Sequence, residues 1–142
     1  IVNYRSEDVV SYFGNGTHLG ITPHYHKTEM RSTGLALSKI VDQLPDAFLY
    51  THGNILYNSN LLFTLLKQSY RCGCSTTFAI TKNPIAPTHP VFNLRNGSVN
   101  QILRHPRPTD TETYYSIGLA IIQKNTAMLR LVSVSNIRRN IL

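Results

Sequence analysis

The feature that limits the fold most is a succession of three segments in the middle of the chain: AFLYTHG (47–53), LLFTLLKQSYRCG (61–73) and STTFAIT (75–81). The first is a short apolar run of strand length, of the kind buried in a parallel sheet. The second has helical length and stops at Gly73, a residue type that commonly ends helices. The third is rich in β-branched residues and predicts a strand. Strand, helix and strand in this order predict a layered α/β unit, in which ligands bind beyond the carboxyl ends of the strands. The turn at Gly53-Asn54 falls at such an end.

The flanking segments extend the alternation. IVNY ends a strand, and SEDVVSYFGNG reads as a short helix with Ser6 as N-cap and Glu7-Asp8 in its first turn. LGITPHY predicts an edge strand, because Pro23 cannot donate to a ladder. Thr33-Gly34 opens a helix through LALSKIVDQL, with Leu37, Ile40, Val41 and Leu44 at helical spacing and Pro45 at its end. Ser59 or Asn60 caps the 61–73 helix. PVFNLRNGSVNQILRH is a hairpin signature around Asn96-Gly97, a pair suited to a type I′ turn. TYYSIGLAII is a further strand, and NTAMLRLVSVSNIRRNIL a final helical region. The fold class expected is α/β, a Rossmann-like three-layer α/β/α arrangement with a mainly parallel sheet and an inserted antiparallel hairpin.

Composition narrows the function classes. At 142 residues the chain suffices for one domain with a core, and no apolar run approaches the roughly 20 residues that span a bilayer. It starts at Ile1 without a secretory pattern and reads as the interior of a longer protein, cytoplasmic in location. Fourteen Lys and Arg against seven Asp and Glu give +7, a field that favours phosphate-bearing partners. The basic residues are dispersed apart from Arg104–Arg107 and Arg138-Arg139, so nucleic acid is disfavoured as a partner. Cys72 and Cys74 cannot complete a four-ligand zinc site; a disulfide across the single residue between them is the uncommon alternative, and two free thiols in a reducing cytosol are expected. His24 and His26 share one face of a strand, half of a metal site at most.

Several stretches, in order, resemble the sugar-phosphate nucleotidyltransferases. NYRSEDVVSYFGNGTHLGITPHYH looks like that family's strand–helix segment, and EMRSTGLALSKI its nucleotide-contacting loop and helix. AFLYTHGNILYNSNLLFTLLK is similar to the strand carrying a Gly-Asp turn, NGSVNQILRHP to the hairpin ending in Glu-Lys-Pro, and YYSIGLAII to the Asn-[Ala/Thr/Ser]-Gly strand. The resemblance implies that residues 1–142 are a single nucleotidyltransferase-like domain. It would lack the N-terminal triphosphate loop and the C-terminal part that supplies a second metal-binding aspartate. It also implies roles for particular residues. Glu29, Thr33, Gly34 and Gly53 would bind the nucleotide, and Arg104, His105, Ser116 and Gly118 the sugar phosphate. Asn54 would stand at the metal position, where the family has aspartate.

That last position matters, because magnesium prefers anionic oxygens to a carboxamide. Of the seven carboxylates (Glu7, Asp8, Glu29, Asp42, Asp46, Asp110 and Glu112), only Glu29 falls where the family binds a ligand. Arg104 stands where the family has glutamate and cannot accept a hydrogen bond. The leading expectation is transfer of a nucleoside monophosphate from a nucleoside triphosphate to a sugar 1-phosphate, with Mg2+ as cofactor, by the complete protein. The alternative is a catalytically silent domain of the same fold, which binds nucleotide or a partner subunit, or assembles as a homo-oligomer.

Overall fold

The computed structural model describes residues 1–29, 33–83, 91–103 and 113–124. They fall into two compact units, one built on Ile1–Pro45 and including Lys124, the other formed by Asp46–Gln123. Among the described residues no helix is long and apolar enough to cross a membrane.

In the first unit, α1 runs over Ser6–Phe13. The expected cap is shifted by one residue: Arg5 occupies the N-cap position without a side-chain capping bond, its guanidinium pairing instead with Asp8, and Ser6 is already helical. IVNY and LGITPHY do not form strands. Their pairing is limited to one bridge between Val2 and Lys27, with the Val2 N–H on His26 O at 2.9 Å and the Thr28 N–H on Val2 O at 3.0 Å. The expected helix over 33–44 divides in two. α2 covers Thr33–Ser38, and a separate 3-10 turn covers Val41–Gln43. The Ser38 hydroxyl donates to Leu35 O at 2.8 Å, taking a carbonyl that a longer helix would use. Lys124 Nζ donates to Leu44 O at 3.0 Å, placing a cation on the carbonyl end of the 3-10 turn. Leu37 and Ile40, two of the residues whose spacing marks the segment as helical, are buried, as is Ala36.

The second unit carries β1 (Ala47–Thr51), α3 (Ser59–Cys72), β2 (Thr76–Thr81), β3 (Val91–Arg95), β4 (Ser98–Leu103) and β5 (Thr113–Gln123). Its hairpin is as the sequence predicts, with Asn96 at φ 52° and Gly97 at φ 73° linking β3 to β4. The sheet corrects the expected fold class. It is not a mainly parallel Rossmann-like sheet in a three-layer α/β/α arrangement, because every ladder among the described residues is antiparallel. The reason is the place of β5. Ile121 pairs with Leu49 of β1 and also with Thr77 of β2, so β5 lies between these two strands and runs opposite to both. β1 and β2 thus keep the common direction that a strand–helix–strand unit gives them, without bonding to each other. β3 pairs with β5 at Thr113–Tyr115 on the same edge as β1.

Burial follows from this position. Ser116, and then Gly118 through Ile122, are buried in succession, the pattern of a strand covered on both faces. Leu65 of α3 packs with Ala79, Leu119 and Ile121, with Tyr57, Leu61 and Ile117 at the margin of the cluster. Phe92 of β3 is almost fully buried, its ring 5.0 Å from that of Phe78.

α3 ends at Gly73, in the left-handed region at φ 58°, as expected. Its start differs, for Asn58 rather than Ser59 or Asn60 caps it, accepting from the Leu61 N–H at 2.8 Å. The reversal at Gly73 brings the Cα atoms of Cys72 and Cys74 within 5.1 Å, and the two are bonded to each other instead of standing as free thiols.

A cleft where the edge of the central strand opens

Along the edge of β5 shared by β1 and β3, residues Ser116–Gly118 lie between the two partners. The opposite edge is irregular at the same place. Phe78 pairs with Ala120 and Ile80 with Ser116, so Ile117–Leu119 of β5 face Ala79 alone. This is a bulge, and Gly118 at φ 76° makes the bend. Its backbone groups are both used: the N–H donates to Ser116 Oγ at 3.1 Å, and the carbonyl accepts the His52 N–H at 2.9 Å. His52 thereby adds one bond to the β1–β5 ladder, and the chain then turns at Gly53-Asn54.

Beyond the turn lies a cleft of about 500 Å3, lined by Asn54 through Asn58, Leu61 and Ile117. Its size suits a small-molecule ligand. Leu61, Tyr57 and Ile117 also belong to the margin of the core, so the apolar wall is continuous with packed structure. The lining residues with polar side chains are Asn54, Tyr57 and Asn58, and Asn58 Oδ1 is engaged by the α3 cap. The lining contains no carboxylate. Such a set does not fit magnesium, which is usually held by one or two carboxylates. Among the described residues no three His, Cys, Asp or Glu side chains come together to hold a metal ion.

The residues singled out from the sequence are distributed as follows. Asn54 lines the cleft, and Gly53 is exposed in the turn, where an added Cβ would meet nothing within 4 Å. Ser116 and Gly118 are buried in the bulge that supports the turn. Glu29 (exposed), Thr33 and Gly34 (the first residues of α2) belong to the other compact unit. Arg104 and His105 lie outside the described residues, as does the expected helical region beyond 124. Sequence reasoning missed the structural role of His52. Its signal was present, since His52 directly precedes the turn and Gly118 follows a serine by two positions. Only the register shows that the two meet.

No family model and no curated protein matches the chain. Among solved structures it resembles a candidate glucose-1-phosphate thymidylyltransferase from Bacillus anthracis, crystallised in complex with a sucrose, with a TM-score of 0.68 at 16% sequence identity. The match covers 83% of this chain and 48% of that protein, so the chain spans about half its length. The likeness is one of fold.

Proposed function

We propose that this chain supplies the ligand-binding centre of a nucleotidyltransferase-like domain and holds a nucleotide or sugar phosphate at the Gly53-Asn54 cleft without a metal. The observation that carries the reading is the lining itself, two asparagines and a tyrosine against an apolar wall, at the carboxyl end of a strand. Carboxamides both donate to and accept from sugar hydroxyls and base edges. Apolar walls take the faces of sugar and base rings. The surroundings favour an anionic ligand, because the sequence holds no acidic residue between Asp46 and Asp110. The cleft also adjoins the amino end of α3, the positive end of its dipole. In this reading Ser116 and Gly118 position the turn, and Arg104 and His105 contact the sugar phosphate.

Transfer of a nucleoside monophosphate to a sugar 1-phosphate is the second reading. The likeness to a candidate thymidylyltransferase favours it. It requires anionic metal ligands beyond those of the cleft, and it belongs to the complete protein.

Calorimetric titration with UTP, dTTP, GTP and glucose 1-phosphate, with and without magnesium, tests both. Binding of equal strength in the two buffers is expected, and it should weaken when Asn54 is replaced by leucine. Binding that appears only with magnesium overturns the metal-free reading. Absence of binding under both conditions overturns the cleft as a site for these ligands.

A further inference from the structure

Cys72 closes α3, Cys74 opens the link to β2, and the bond between them encloses a single residue. The restriction a disulfide places on an unfolded chain grows with the size of its loop, so this bridge does little to hold the fold together. Both cysteines are exposed, and exposed disulfides are the labile ones. The reduced form has partners in place. The Cys74 N–H lies 3.1 Å from Cys72 Sγ and Thr77 Oγ1 lies 3.7 Å from it, two donors for a thiolate. Ser69 O lies 3.6 Å from the same sulfur; a disulfide sulfur has no proton to give it, whereas a thiol has. Lys67, Arg71 and Lys82 are the charged residues of the sequence around the pair, with no carboxylate among them. Positive surroundings raise the thiolate fraction and attract anionic thiols.

We infer that Cys72 and Cys74 form a dithiol–disulfide couple that exchanges with solution thiols of the glutathione class. The site stands at the far end of α3 from the cleft, roughly 20 Å along the helix axis, and is independent of ligand binding there. An incoming thiolate attacks Cys74 Sγ, and the Cys72 sulfur leaves as the thiolate that the Cys74 N–H and the Thr77 hydroxyl stabilise. A second thiolate attacks the sulfur of the bound thiol and releases it as an external disulfide, with Cys74 leaving as thiolate. Two external thiols are oxidised to one disulfide, and the protein pair takes up two electrons and, on protonation, two protons.

The test equilibrates the 142-residue chain with graded ratios of reduced to oxidised glutathione, traps free thiols by alkylation and counts them by mass spectrometry. The expected result is one transition from no thiols to two, with the circular dichroism of the fold unchanged across it. Cys72→Ser should accumulate a mixed disulfide on Cys74. Thr77→Val, which removes a donor to the departing sulfur, should move the transition to more reducing buffers. A pair that stays bonded in excess reduced glutathione until the chain is denatured, or that never closes in excess oxidised glutathione, overturns the proposal. An unmoved transition in Thr77→Val overturns the Thr77 hydroxyl as a partner that stabilises the reduced Cys72 sulfur.

Discussion

His52 and Gly118 are in contact through both backbone and side chain. The His52 N–H donates to Gly118 O at 2.9 Å. A methyl group in place of the glycine hydrogen would stand 2.7 Å from His52 Nδ1 and 2.9 Å from its Cγ. The bulge in β5 therefore sets where β1 ends and where the Gly53-Asn54 turn begins. The position of the cleft is thus decided by a strand more than 60 residues later in the chain.

Gly118→Ala should be strongly destabilising. The residue has φ 76°, and its Cβ would also meet Ile55 Cδ1 at 2.6 Å. The left-handed conformation and the overpacking together are expected to cost about 2–4 kcal/mol, read as a lower midpoint in urea with unchanged slope. His52→Ala in the same background should recover on the order of 1 kcal/mol, since the two changes share one contact. Additive effects would show that the imidazole yields freely to the methyl group.

What was legible in the sequence was local. The Asn96-Gly97 turn, the α3 helix with its stop at Gly73, and the apolar β5 run each declare themselves within a few residues, and each is present. Sheet order is not local. Alternating strands and helices give β1 and β2 a common direction, but nothing in either segment reveals that β5 inserts between them and makes both ladders antiparallel. The amino-terminal strands failed for a related reason. Val2 and its neighbours have β-forming side chains, yet the contact they find is a single bridge to Lys27. At the site, Asn54 was recognisable from its place after the glycine, and the lack of a carboxylate was readable from composition. The walls formed by Leu61 and Ile117 come from α3 and β5, and only the packing brings them together.

Asn58 offers a test that separates stability from ligand binding. Asn58→Ala removes the acceptor of the Leu61 N–H and should cost about 1 kcal/mol by chemical denaturation. Asn58→Asp keeps the acceptor and adds a negative charge at the positive end of α3, worth about 0.3–1 kcal/mol. That gain is present when the carboxylate is ionised and is lost as pH falls and the carboxylate is protonated in the folded chain. In the cleft the same charge opposes a phosphate. The aspartate variant should therefore be at least as stable as the parent while binding nucleotide more weakly.

Leu65→Ala probes the continuity between core and cleft. Leu65 is 5% exposed and packs with Ala79, Leu119 and Ile121. Its truncation should cost about 2–5 kcal/mol. Because Tyr57, Leu61 and Ile117 border the same cluster, relaxation into the space should also loosen the cleft wall. A thermal midpoint that falls together with nucleotide affinity is expected. Intact affinity in the folded fraction would show that the wall is held by the turn alone.

Asn54→Asp restores an anionic oxygen to the turn and gives the sharpest contrast with the parent chain. Asn54 is exposed on the cleft rim, so a carboxylate there remains hydrated and costs little stability. Without a metal, the new charge repels a phosphate and nucleotide affinity should fall severalfold. With magnesium, the carboxylate and the phosphate oxygens share one cation, and affinity should recover to the parent value or above it. The parent chain, lacking that ligand, should bind equally well with or without magnesium. Paired titrations of both proteins with UTP at constant ionic strength measure this directly, since screening is then the same in every arm. If magnesium leaves the aspartate variant as weak as before, the turn does not present residue 54 to the phosphates. If magnesium strengthens the parent as much as the variant, the cation is held by other residues, and the metal-free reading of the cleft is wrong.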